Sequence, residues 1–168
     1  MRIHLSRPDV TDAEIEEVCA VLRSPSLALG PRLVEFERAF AQYTGRRRAV
    51  AVNSGTSGLH LCMLSLGIGP GDEVITTPFT FIASSNCVLM TGAKPVFVDI
   101  DPVSLNIDAA RIAGAVTERT KAIVPVEVFG NPAGFDTICE AAANHNLAVV
   151  EDSCEALGWA LWAPKAGT

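Results

Sequence analysis

Three short stretches of this chain hold residue types suited to gripping a ligand: Ser54-Gly55-Thr56-Ser57, Thr80-Phe81 and Asp152. The first joins hydroxyls to a glycine that lets a ligand approach the backbone. Where such a turn opens a helix, the N–H groups of the first helical turn lack partners and attract anions. By itself the turn fits an ordinary N-cap as well as a phosphate cradle. Phe81 offers an aromatic face, or a plain core residue. Asp152 offers an isolated carboxylate, or a helix cap or ion-pair partner. Taken together, an anion cradle, a ring and a carboxylate suit a flat, phosphorylated, cationic heterocycle.

The elements that must position these groups are legible in the hydrophobic pattern. Ala49–Val52 is a short apolar run expected to form a buried strand leading into the Ser54–Ser57 turn, with Leu59–Leu66 as the apolar side of the helix that follows. Upstream, Thr11 and Glu14 have capping-box spacing, and Ile15, Val18, Cys19 and Leu22 share one helical face. Pro31 suits the first position of a second helix, whose buried side is expected at Leu33, Phe36, Phe40 and Tyr43 before Gly45 stops it. Gly67-Ile-Gly-Pro-Gly71 follows a helix and precedes a strand, the reverse of a dinucleotide fingerprint, and reads as a turn. Downstream, strands are expected at Glu73–Thr77, Pro95–Ile100, Ala122–Val128 and Leu147–Asp152. Helices are expected at Thr80–Met90, Asp108–Val116 and Phe135–Asn144. This alternation predicts an α/β fold with a mostly parallel sheet and no internal domain boundary.

In such sheets ligands sit outside the carboxyl ends of the strands, where all three polar groups fall. Pyridoxal phosphate fits them: phosphate on the turn, ring against Phe81, and Asp152 beside the ring nitrogen, keeping it protonated so that the ring acts as an electron sink. Asp99 and Asp101 at a strand exit lack a third ligand of suitable spacing, and an Asp101-Pro102 turn is the expected reading; no metal site is predicted.

The chain has 168 residues, 49% of them hydrophobic, enough for one sizeable core. Its formal net charge is -6 without long runs of one sign, which argues against nucleic acid or an anionic membrane as partner. Arg46-Arg47-Arg48 reads as charge compensation at a helix end. Neither a membrane-spanning apolar stretch nor a signal-peptide core is present in the sequence, which predicts a cytoplasmic protein. Five cysteines without a CxxC pair are expected to be buried and reduced.

Five segments in register carry a family resemblance: Val52–Ser57, Gly69–Ile75, Pro78–Phe81, Pro95–Asp99 and Val150–Asp152, preceded by Leu5-Ser6-Arg7-Pro8 and Leu29-Gly30-Pro31. The chain resembles the DegT/DnrJ/StrS family of pyridoxal-phosphate-dependent sugar aminotransferases, of aminotransferase fold type I. The resemblance implies a three-layer α/β/α large domain, with residues 1–168 as its N-terminal part and with the rest of it and a small C-terminal domain absent. It implies that Gly55, Thr56 and Ser57 bind the cofactor phosphate, that Phe81 stacks on the pyridine ring, that Asp152 pairs with the ring nitrogen, and that position 155 faces the cofactor's phenolic oxygen. The activity implied is amino transfer from an amino-acid donor such as glutamate to a nucleotide-linked keto-sugar, by a homodimer, for polysaccharide, lipopolysaccharide or antibiotic biosynthesis. Alternatives are a sugar dehydratase of the same family and a non-catalytic fragment or regulatory module.

Several positions depart from the family pattern. The Schiff-base lysine is expected beyond Lys165-Ala166-Gly167-Thr168, and Lys165 itself resembles the basic residue before the family's Gly-Thr, so this chain is expected to lack a catalytic residue of its own. Glu155 stands where the family often has glutamine; a carboxylate there must be protonated, turned away or paired with a cation. Glu127 stands where histidine is common, and Trp159–Ala163 is more apolar than its usual basic counterpart.

Overall fold

The computed structural model describes residues 7–158. Its centre is a parallel sheet of four short strands, β1 (Glu73–Thr76), β2 (Lys94–Phe97), β3 (Thr120–Val124) and β4 (Ala148–Val149), in the order β2-β1-β3-β4. Side chains alternate across a strand, and here both faces are covered. Val74, Ala122 and Val124 pack on one face with Leu59 and Met63 of α3 (Gly55–Ser65) and Cys87 and Val88 of α4 (Ala83–Leu89). Ile75 and Ile123 pack on the other with Ile112 of α5 (Ala109–Ala115) and Ile138 and Ala142 of α6 (Phe135–Asn144). The three-layer α/β/α arrangement follows directly from that alternation.

The chain leaves β1 through α4 to reach β2 on one side, then returns through α5 to β3 on the other. The two connections diverge from β1 and β3, and the crevice between their carboxyl ends is the switch point of the sheet. At the opposite end, the buried Glu73 carboxylate accepts from Arg119 at 2.8 Å, Thr117 at 2.7 Å and Lys94 at 3.3 Å. Those donors, Arg119 foremost, hold its pKa down at about 2.

Most expected elements are present, with shorter strands and with α6 at the expected bounds. The helix expected from Thr80 begins at Ala83, because Pro78–Ile82 forms the turn leaving β1. Ala49–Val52 is a correction: it forms no regular element and pairs with none of the four strands, and Val50 is 76% exposed. A strand exists only through ladder hydrogen bonds, and the Ala51 N–H goes instead to the Glu37 carboxylate at 2.9 Å. The side expected to be buried on α2 (Pro31–Thr44) is a second correction, and the apolar face of α1 (Asp12–Leu22) is likewise uncovered. Ile15, Val18, Leu22, Phe36 and Tyr43 are exposed; only Ala41 and Thr44 of α2 are buried. Periodicity marks an apolar stripe but says nothing about what covers it. Of the cysteines only Cys87 is buried, while Cys62 and Cys154 are exposed; all described cysteines are free. Among the described residues no helix is long and apolar enough to cross a membrane. Leu5-Ser6, Trp159–Ala163 and Lys165–Thr168 lie outside the described residues.

Candidate functional site

A cavity of about 540 Å³ opens over the carboxyl ends of β1, β3 and β4, and it brings the sequence-predicted groups together. The first wall is the start of α3. Ser54 caps this helix from an extended conformation, its hydroxyl oxygen accepting the Ser57 N–H at 3.2 Å. Gly55 and Thr56 face the cavity at the first turn, where helix geometry leaves N–H groups without intrahelical acceptors. Gly55 and Cys154 lie close: a Cβ at Gly55 would meet Cys154 Sγ at 2.9 Å, so the thiol would have to shift.

The second wall is the turn after β1. Phe81 is 76% exposed and lines the cavity, so it is not a core residue. Thr80 shares a hydrogen bond with Ser84 at 2.8 Å, and the Ser84 hydroxyl donates to Asp152 Oδ2 at 2.6 Å. Asp152 is 6% exposed and is placed by backbone pairing: its N–H donates to the Pro125 carbonyl at 3.0 Å, extending the β3–β4 ladder. A buried carboxylate held by a hydroxyl, with its carboxyl group at a cavity wall, is placed to pair with a cationic N–H group.

The third wall comes from the turn after β3 and the segment after Asp152. Glu155 lines the cavity, and its Oε2 accepts the Phe129 N–H at 3.0 Å. That oxygen is thus engaged with the backbone of the Phe129 turn. Glu127 is 3% exposed, and its Oε2 has no hydrogen-bond partner. Burial first, then the neighbouring Glu151 carboxylate, pushes its pKa up to about 8. Although Cys154 as a residue is exposed, partial desolvation of its sulfur, followed by Asp152, raises the thiol to about 11, so it is protonated and poorly nucleophilic at neutral pH.

Among the described residues the ionisable carboxyl groups of the lining are Glu127, Asp152 and Glu155, and none of the described lining residues is a lysine, arginine or histidine. Among the described lining residues, those at the start of α3 offer an anionic group favourable potential. Asp101, by contrast, makes a turn, its Oδ1 accepting from Val103 and Ser104. Ser57 lies one position deeper in α3 than the residues lining the cavity, with its N–H taken by Ser54. Sequence reasoning missed Ser84, Cys154, Phe79 and Phe129. Cys154 lies two residues after Asp152, in the turn that follows it.

The pattern that defines the DegT/DnrJ/EryC1/StrS aminotransferase family matches residues 8–168. GDP-perosamine synthase of Caulobacter vibrioides is 44% identical over 99% of this chain and 45% of its own length. UDP-4-amino-4-deoxy-L-arabinose–oxoglutarate aminotransferase of Shewanella sediminis is 43% identical over 92% of this chain and 40% of its own. In structure, the chain is similar to the PLP form of the putative sugar aminotransferase Spr1654 of Streptococcus pneumoniae, with a TM-score of 0.89, 36% identity, and coverage of 94% of this chain and 44% of that one. The chain thus spans less than half the length of these relatives.

Proposed function

Because the chain belongs to the DegT/DnrJ/EryC1/StrS aminotransferase family, we propose that its cavity holds pyridoxal 5′-phosphate and serves amino transfer to a nucleotide-linked keto-sugar. The observation that carries this reading is the buried Asp152 carboxylate, fixed by Ser84 in one cavity with the exposed Phe81 ring and the start of α3. In this reading Gly55 and Thr56 offer backbone N–H groups to the cofactor phosphate, and the Thr56 and Ser57 hydroxyls supplement them. Phe81 lies against the pyridine ring. Asp152 holds a proton on the ring nitrogen, and Ser84 keeps the carboxylate oriented. The bound cofactor supplies an electron sink for the carbon that gains or loses a proton.

Two relatives support the substrate class, one named for a GDP-linked and the other for a UDP-linked amino sugar. The second also names oxoglutarate, which is what glutamate becomes on losing its amino group, and we assign glutamate as donor. Lys94 and Lys121 do not line the cavity, so neither is assigned the covalent link to the cofactor. In this reading residues 1–168 are the N-terminal part of the PLP-binding large domain of a cytoplasmic homodimer, and the lysine belongs to another part of the whole protein.

An absorbance titration of the chain with pyridoxal phosphate tests the site. Saturable binding is expected, weakened about tenfold or more by Asp152→Asn, the effect of about one pKa unit of lost charge interaction. Equal affinity of the variant would remove the ring-nitrogen assignment. No binding by the wild type would show that these residues do not form the site alone.

A further inference from the structure

We infer that Glu155 is a positioning residue whose carboxylate clamps the Phe129 turn, so that Phe129 and Phe79 form a fixed aromatic wall of the cavity. Phe129 has φ 55° and ψ 24°, a left-handed conformation that a residue with a Cβ disfavours, and Gly130 follows at φ 78°. Such a turn needs outside contacts to persist. Two are present, one spanning the turn and one at Phe129 itself. Asn106, 3% exposed, accepts the Val128 N–H at 3.0 Å and donates to the Asn131 and Ala133 carbonyls at 2.7 and 2.9 Å. Glu155 takes the next N–H, that of Phe129, at 3.0 Å.

The consequence lies in the rings. Phe129 meets Phe79 edge to face, with centroids 6.3 Å apart and planes at 79°. That is a favoured geometry for an aromatic pair. Both rings line the cavity that holds Asp152, and Phe129 is 72% exposed. An exposed ring pair held by a buried asparagine and a carboxylate is organised for a ligand, since folding alone gains little from it. Glu155 therefore acts through Phe129, and its engaged oxygen is not available to a ligand.

The assignment of that ligand rests on the proposed cofactor reading, and two measurements on the full chain separate the claims. The first is amide hydrogen exchange at Phe129, which needs no ligand. Glu155→Ala is expected to speed it about tenfold, as loss of one charge-assisted hydrogen bond does, while Glu155→Gln keeps an acceptor oxygen and stays near wild type. Unchanged exchange in Glu155→Ala would overturn the clamp. The second is the affinity for pyridoxal phosphate. Glu155→Ala and Phe129→Ala are each expected to weaken it by about fivefold, and the double variant no further, because residues acting as one unit are non-additive. Losses that multiply would mean that Glu155 contacts the ligand directly and would overturn the positioning role. A wild type that binds no cofactor would show that these residues do not form the site alone, with exchange still deciding the clamp.

Discussion

Ser84 and Asp152, 68 residues apart in sequence, meet at 2.6 Å in the buried wall of the cavity. The hydroxyl sits in the first turn of α4 and the carboxylate at the exit of β4, so one hydrogen bond ties the helical layer to the sheet where the site lies. Thr80 completes the chain by sharing a hydrogen bond with the same hydroxyl.

Removing the hydroxyl leaves a buried carboxylate short of a donor. Ser84→Ala is expected to destabilise the fold by about 1–3 kcal/mol, the cost of an unsatisfied buried polar group. Urea denaturation reads this directly. A midpoint equal to wild type would mean that Asp152 finds another donor.

Gly55 and Cys154 are coupled by space. Gly55→Ala is expected to destabilise, since its Cβ would meet Cys154 Sγ at 2.9 Å. In a Cys154→Ala background the same change is expected to be neutral or stabilising by about 0.5–1 kcal/mol, the ordinary gain of alanine over glycine in a helix. The interaction energy of that double-mutant cycle is the measurement, and a value of zero would exclude the contact.

Glu127 makes stability fall with rising pH. Its folded pKa, about 8, lies above the ordinary carboxyl value of 4.5, so the folded state binds the extra proton. This contribution is fully present below the unfolded pKa and is lost as pH rises through about 8. Denaturation midpoints from pH 5 to 9 should decline for wild type and flatten for Glu127→Gln, whose neutral amide does not titrate.

Glu73 works in the opposite sense. Its pKa is lowered to about 2, chiefly by Arg119, so its contribution is present above the unfolded value and is lost as pH falls toward 2. Arg119→Ala should move acid unfolding to higher pH, and Lys94→Ala should move it less, since Lys94 bonds the carboxylate at 3.3 Å against 2.8 Å for Arg119. Equal shifts in the two variants would contradict that ranking.

The aromatic face at Phe81 carries the remaining prediction. Phe81→Ala removes an exposed ring from the cavity, so it should leave the denaturation midpoint nearly unchanged while weakening pyridoxal phosphate binding about tenfold, the upper range for one stacking contact. A large loss of stability with unchanged affinity would assign Phe81 to packing.

Local pattern alone determined the alternation of strands and helices, the Ser54 cap of α3 and the bounds of α6. Each depends on neighbours within a few residues: a cap on the next turn, a helix on its own periodicity, a buried strand on a short β-branched run. Tertiary structure decided everything that needs a distant partner. Ala49–Val52 has the composition of a strand, but pairing is supplied by a neighbour and its Ala51 N–H goes to Glu37. The apolar stripes of α1 and α2 were legible, whereas their exposure depends on what lies against them. The same holds within the site. That Asp152 would stand at a strand end was readable, but Ser84 and Phe129 reach Asp152 and Glu155 only because parallel strands bring their carboxyl ends together from distant parts of the chain.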